Sequence, residues 1–272
     1  MAGFYGTDLV GEEFIPANPR AGLLIVHGMA EHRGRYVDAV RRLTQHSLAC
    51  FTFDLRGHGE SPGDRADIDS FQTYVDDLLK IRAGIDHGHP QLPLFIWAHS
   101  LGTVVAIRSV EQRADHLRGV ITSGCPVAAF QRVPSPLRSA LVALCTPFSS
   151  VHVSPGLGAE QLSHSREVQQ RYVADPHIPG KVTVRLLIEL ESACRASIDD
   201  ADSIHLPWLA MHGAADNIAP PQGSEQLVAA LGSTDKTLQL FTGMRHEVHN
   251  EIEPTPTEFY ARMLHWIEGH LD

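Results

Sequence analysis

Four short apolar runs within the first 125 residues constrain the fold more than any other feature of this chain. Ala21–Val26 (AGLLIV) ends at His27-Gly28, residues 50–53 (CFTF) end at Asp54, residues 92–98 (LPLFIWA) end at His99-Ser100, and Leu117–Ser123 (LRGVITS) ends at Gly124-Cys125. Runs this short, apolar on both faces, are the pattern of buried parallel strands. Helical patterns fill the gaps, over 36–45, 70–86 and Leu101–Gln112. In the second of these, Phe71, Tyr74, Val75, Leu78, Leu79 and the stem of Arg82 share one helical face. Strand–helix alternation of this kind predicts a mostly parallel sheet with helices on both faces, an α/β class.

The alternation breaks near residue 126 and resumes at 206–211 (LPWLAM), followed by a helix over 222–231, a strand at Lys236–Phe241 and a last helix over 258–270. The interruption is rich in Pro, Ser and helical fragments and shows no clear strand. A core of residues 1–125 and 206–272 carrying a cap insertion at 126–205 is therefore expected. The first 20 residues are expected to form a short antiparallel edge pair.

Composition narrows the class of function. Of 272 residues, 43% are hydrophobic and 20% charged, ordinary globular usage that excludes a disordered chain or a collagen-like repeat. The net charge is −10 and no run of four Lys or Arg occurs, which argues against nucleic-acid binding. Cys50, Cys125, Cys145 and Cys194 form no CxxC pair and read as reduced thiols. The opening MAGFYGTDLVGEEF has no basic region followed by an apolar one, so a cytoplasmic location is expected and a secretory signal is not. Residues 139–159 lack Asp, Glu, Lys and Arg but include Pro147, Pro155, Gly156 and Gly158, which suits one or two helical turns and a loop rather than a membrane span.

Chemistry concentrates at the ends of the predicted strands. Ala98-His99-Ser100-Leu101-Gly102 lies where a buried strand stops and a helix starts, the setting of a nucleophile elbow. Such a turn holds the serine over the sheet edge and needs small residues two places to either side. Chain order on this architecture puts an acid after a later strand and a histidine after the next. Asp216 follows 206–211, whereas the competing Asp199, Asp200 and Asp202 precede it. His246 and His249 both follow Lys236–Phe241 and compete as base. The oxyanion donors would be the N–H groups of Leu101 and, from the loop after Ala21–Val26, of Met29.

HGMAEHRGRY at 27–36, DLRGHGESPG at 54–63, AHSLG at 98–102, HGAAD at 212–216 and GMRHEVHNE at 243–251 together resemble the α/β-hydrolase family, within it the monoacylglycerol lipase and lysophospholipase group. The resemblance covers nearly the whole chain, including SREVQQRYVADP at 165–176. Two residues depart from the family pattern: Ala98 stands for a glycine, and Thr103 for the glycine after Gly102. The resemblance implies Ser100 as nucleophile, His246 as base, Asp216 as its orienter, Met29 and Leu101 as oxyanion donors, and a flexible cap over an acyl tunnel. It implies hydrolysis of a lipid-like carboxylic ester, most of all a monoacylglycerol, with no cofactor. A carboxylesterase or lysophospholipase with the same three residues, and a catalytically impaired scaffold, stay open.

Seventeen histidines invite a metal reading, yet His246 and His249 do not have H-E-x-x-H spacing, and no metal site is expected. Asp54, Arg56 and His58 sit among glycines at 57, 59 and 63 and read as a structural loop, with Arg56 bridging carboxylates. In the cap, Leu137, Leu141, Val142, Leu144 and Phe148 are expected to line the acyl site, to touch a membrane or lipid droplet, or to pack the cap on the core.

Overall fold

A computed structural model describes residues 3–271. Its main sheet has seven strands: β1 (Gly11–Phe14), β2 (Ala21–Val26), β3 (Leu48–Phe53), β4 (Leu94–His99), β5 (Leu117–Ser123), β8 (Trp208–Gly213) and β9 (Lys236–Phe241). Their order across the sheet is β1-β3-β2-β4-β5-β8-β9. All neighbours are parallel except β1, which runs antiparallel to β3. The expected edge pair within the first 20 residues is therefore corrected. One strand forms there, and Gly11 to Phe14 find their partners in Phe53 to Cys50. A two-residue pair, β6 (His152–Val153) with β7 (Val182–Thr183), lies in the interruption, where no strand was expected.

The continuous apolar runs have the burial they imply. Every residue of β2, β3, β4 and β8 is buried, because helices cover both faces. On one face Val40 and Leu43 of α1 (Val37–Gln45) and Phe259, Met263 and Ile267 of α9 (Thr255–Glu268) pack on Leu23, Phe95, Trp97 and Met211. On the other, α2 (Phe71–Gly88), α3 (Leu101–Gln112) and α8 (Gln222–Ala230) pack on Leu24, Ile96 and Val120.

Between β5 and β8 the chain forms α4 (Ser135–Cys145), α5 (Ala159–Leu162), α6 (Arg166–Ala174) and α7 (Val184–Asp199). The helix in the uncharged run is longer than expected and begins earlier, since Pro134 and Pro136 preset its first turn. Leu186, Leu190, Ala193 and Cys194 of α7 join the same apolar cluster as the sheet. The second half of the insertion thus shares the core instead of building its own. Among the described residues no helix is long and apolar enough to cross a membrane.

The registers align the strand ends. Val26 pairs with Ala98, His99 with Ser123, and Gly213 with Phe241. The loops that follow β2, β4, β8 and β9 therefore open on one edge, where ligands of open α/β sheets bind.

Candidate active site

Ser100 occupies the turn between β4 and α3 with φ +51° and ψ −121°, a backbone state costly for any residue with a Cβ. The turn survives because its surroundings are over-determined. Ser100 N–H donates to Ser123 O at 2.9 Å, and Thr103 N–H returns to Ser100 O at 2.9 Å. At Gly102 a Cβ would fall 2.6 Å from His27 O and closer still to Val26 O, so only glycine lets α3 approach β2. Both departures from the family pattern are absorbed. Ala98 is fully buried in the core, and Thr103 Oγ1 donates to Ala98 O at 3.2 Å, tying the helix back to the strand.

Asp216, in the loop after β8, receives four hydrogen bonds. Ile218 N–H (2.8 Å) and Ala219 N–H (2.9 Å) reach Oδ1. His246 Nδ1 (2.7 Å) and His212 Nε2 (3.0 Å) reach Oδ2. Burial alone would raise this carboxyl, but the two histidines opposite hold it well below the usual carboxylate range. His246 is moved the other way. Burial lowers it, and the Asp216 charge and hydrogen bond, with Glu247 and Glu31 behind, outweigh burial and raise it. Gly124, with φ +61°, makes room for this ring, since a Cβ there would meet His246 Cε1 at 2.8 Å.

The rival histidine has a different place. His249 stacks on Tyr36 (5.5 Å between centroids) and meets Trp97 edge-on (5.2 Å), with no hydrogen bond to either ring nitrogen. Burial pushes it down to about 4. The rival acids Asp199, Asp200 and Asp202 are exposed around the end of α7, and Asp200 pairs with Arg108 at 2.7 Å. Leu101 is the first residue of α3, where a helix leaves its N–H without an intrahelical partner. Met29 N–H makes no backbone hydrogen bond among the described residues.

Met29, Ser100, Leu101 and His246 all border one cavity of about 160 Å³. Its apolar wall comes from Pro126, Phe130, Leu157, Leu162, Leu187, Leu190 and Ile218. Its polar wall is Glu31, Arg35 and Glu247. Arg35 grips Glu247 through two bonds (2.6 and 2.8 Å) and reaches Glu31 at 2.9 Å. Burial raises Glu247 less than Arg35 lowers it, to about 2, while burial and the neighbouring Glu247 charge leave Glu31 raised. None of the five cap residues expected at the acyl site borders this cavity. Leu137 (54%), Leu141 (43%), Leu144 (67%) and Phe148 (60%) are exposed, and Val142 is half-buried. The apolar wall instead uses Leu187 and Leu190 of α7, whose helical spacing reads from sequence only as a packing face.

In the loop at 54–63, Arg56 bridges Asp8 (2.7 and 3.0 Å) and Asp77 (3.0 and 3.1 Å). One group escaped the spacing argument against metals. His32, Asp175 and His177 bring donor atoms within 4.8 Å of one another. His32 lies far in sequence from Asp175 and His177, so no local motif announces the group. Gly34 N–H donates to His32 Nδ1 (3.2 Å), leaving Nε2 to carry the proton toward Asp175 (2.8 Å). The cluster therefore works here as a hydrogen-bonded clasp between α6's end and the loop after β2. His99 and His212, the last residue of β4 and the next-to-last of β8, also reach this edge, although no spacing argument assigns either a role.

The family described as serine aminopeptidase, S33 (Hydrolase_4) matches residues 17–253. The monoglyceride lipase of Rattus norvegicus is 29% identical over 255 residues, covering 93% of this chain and 84% of that protein. The monoacylglycerol lipase of Mycolicibacterium smegmatis is 29% identical over 273 residues, covering 100% and 96%. The crystal structure of Paleococcus ferrophilus monoacylglycerol lipase superposes with a TM-score of 0.84 at 30% identity, over 97% of this chain and 100% of that one.

Proposed function

This chain belongs to the serine aminopeptidase, S33 family of α/β-hydrolases, and on that footing we propose that it hydrolyses carboxylic esters of lipid-like substrates, monoacylglycerols above all, through Ser100, His246 and Asp216. The observation that carries the reading is the His246 Nδ1–Asp216 Oδ2 hydrogen bond of 2.7 Å in the cavity that Ser100 borders from its left-handed turn.

With Nδ1 engaged, His246 Nε2 is the nitrogen left to take the Ser100 proton as Oγ bonds to the ester carbon. The carbonyl electron pair moves onto oxygen, where the Met29 and Leu101 N–H groups receive it. One such donor is worth roughly 2.7–4 kcal/mol in the transition state. Collapse breaks the bond to the alkoxy group, which leaves with the proton from His246. Water then repeats the cycle on the acyl-serine.

The cavity suits an amphiphile. Its leucines and prolines fit a chain of methylenes, each worth about 0.8 kcal/mol on leaving water. Glu31, Arg35 and Glu247 offer hydrogen bonds to a hydroxylated head group. Two carboxyl groups around one guanidinium are a poor setting for a phosphodiester, which favours monoacylglycerol over lysophospholipid. The segment 126–205 acts as the cap, and the exposed face of α4 is its contact with a lipid surface.

Turnover of monoacylglycerols, lysophospholipids and p-nitrophenyl esters of graded length tests the assignment, with fluorophosphonate labelling of wild type and Ser100→Ala. Labelling lost in Ser100→Ala, with 2-decanoylglycerol preferred over lysophosphatidylcholine, is the expected result. A preference for acetate esters would make it a short-chain carboxylesterase, and labelling that survives Ser100→Ala would refute the nucleophile.

A further inference from the structure

Asp216 Oδ2 has a second histidine partner. His212 lies near the end of β8, four residues before Asp216, and is fully buried. Its Nε2 faces two groups that only accept: Asp216 Oδ2 at 3.0 Å and Ala219 O at 2.9 Å. Nε2 must therefore carry hydrogen. Its Nδ1 lies 2.7 Å from Ser224 Oγ, on buried α8 backbone and side chain, so in the neutral ring the Ser224 hydroxyl donates to it. The two acceptors thereby set the tautomer, and Ser224 on α8 holds the ring that points at the carboxylate.

Two consequences follow from that geometry. The carboxylate is clamped from a second side, beyond its two backbone donors on Oδ1. The oxygen that serves His246 is also shared, and each donor withdraws charge from the other's bond. We propose that His212, held by Ser224, is a positioning residue that fixes the Asp216 carboxylate and limits the negative charge it presents to His246. This rests on the assignment of Ser100, His246 and Asp216 given above.

Several other titratable groups surround His246: His99 from β4 at 4.7 Å between ring centroids, Glu247 beside it, His249 three residues on, and Glu31 from the loop after β2, with Arg35 paired to both glutamates. The hydrogen-bond partners of His212 are Asp216, Ala219 and Ser224, so its substitution leaves those other groups in place.

The test compares His212→Leu, His212→Gln and Ser224→Ala by kcat, KM, the acid limb of kcat/KM on p-nitrophenyl butyrate, and thermal unfolding. His212→Leu removes the donor, and kcat should fall about 10- to 100-fold, the rate equivalent of one hydrogen bond to a charged group. KM should change little. The acid limb should move to higher pH, because an unshared carboxylate stabilises the His246 imidazolium more. His212→Gln places an amide N–H where Nε2 was and should return both kcat and the limb toward wild type. Ser224→Ala removes the Nδ1 anchor and loosens the ring at small cost in volume, and it should move the limb the same way by less, which keeps the test decisive if His212→Leu does not fold. Variants with lowered Tm but unchanged kcat and acid limb would overturn the proposal, leaving His212 as packing. Ser100→Ala run alongside separates this from failure of the underlying assignment: residual activity there refutes the nucleophile, whatever His212 does.

Discussion

Asp216→Asn isolates what the carboxylate does for His246. Ile218 and Ala219 N–H groups hold Oδ1 at 2.8 and 2.9 Å, so the amide oxygen must stay there. The amide NH2 then replaces Oδ2, at the 2.7 Å position opposite His246 Nδ1. From there it donates into Nδ1 and drives the ring to its Nε2–H tautomer. A ring protonated at Nε2 has no lone pair for the Ser100 proton. The same NH2 also faces the His212 Nε2 hydrogen, 3.0 Å away in the wild type, so the loop loses one bond without gaining another. A trapped tautomer costs about 10⁴ in kcat, and at 1.36 kcal/mol per tenfold this is about 5.4 kcal/mol on the barrier. The assay is kcat/KM on p-nitrophenyl butyrate across pH, with fluorophosphonate labelling as a second readout and Tm as the check on folding. Labelling should slow in proportion to turnover, and the acid limb should fall as the raising charge disappears. A loss below tenfold in folded protein, or an acid limb left in place, would refute the tautomer argument and with it Asp216 as the orienting acid.

Three further outcomes follow from the site. The proposed mechanism uses His246 unprotonated, and its pKa is raised, so the acid limb of kcat/KM should lie above the unperturbed value of about 6.5; a limb below about 6 would contradict the Asp216 pairing. His249 and His27 (each down to about 4) and His58 (down to about 3) are lowered by burial and take up protons on unfolding, so the stability they contribute is complete above about 6.5 and is lost as pH falls toward 4, which urea unfolding midpoints across that window will register. Leu190→Ser, in the cavity wall, should lower kcat/KM for decanoate esters far more than for acetate, whereas Leu141→Ser with Leu144→Ser should leave soluble esters within about twofold and weaken turnover only on vesicles; chain-length discrimination by the second pair would place α4 over the acyl chain in solution.

Local pattern carried much of this protein. The apolar runs ending at His27, Asp54, Ser100 and Gly124 are buried strands because hydrophobic periodicity reports burial directly. Ser100 between Ala98 and Gly102 marked the tight turn because only small residues let helix and strand approach that closely. Chain order alone placed Asp216 and His246 in loops after successive strands. Local pattern left His246 and His249 both open, and the family resemblance favoured His246. Both sit in one loop, three residues apart, and only the packing of Tyr36, Trp97 and Phe259 around His249 turns that ring away from Asp216. The cavity wall was equally out of reach. Leu141 and Leu144 look as apolar in sequence as Leu187 and Leu190, and which pair meets the cavity depends on how α4 and α7 lie against the sheet. His212 beside Asp216 and Asp175 beside His32 belong to the same class. Periodicity specifies which side of an element is buried, but not which distant element arrives to cover it, and a shared carboxylate or a clasp exists only once that partner is in place.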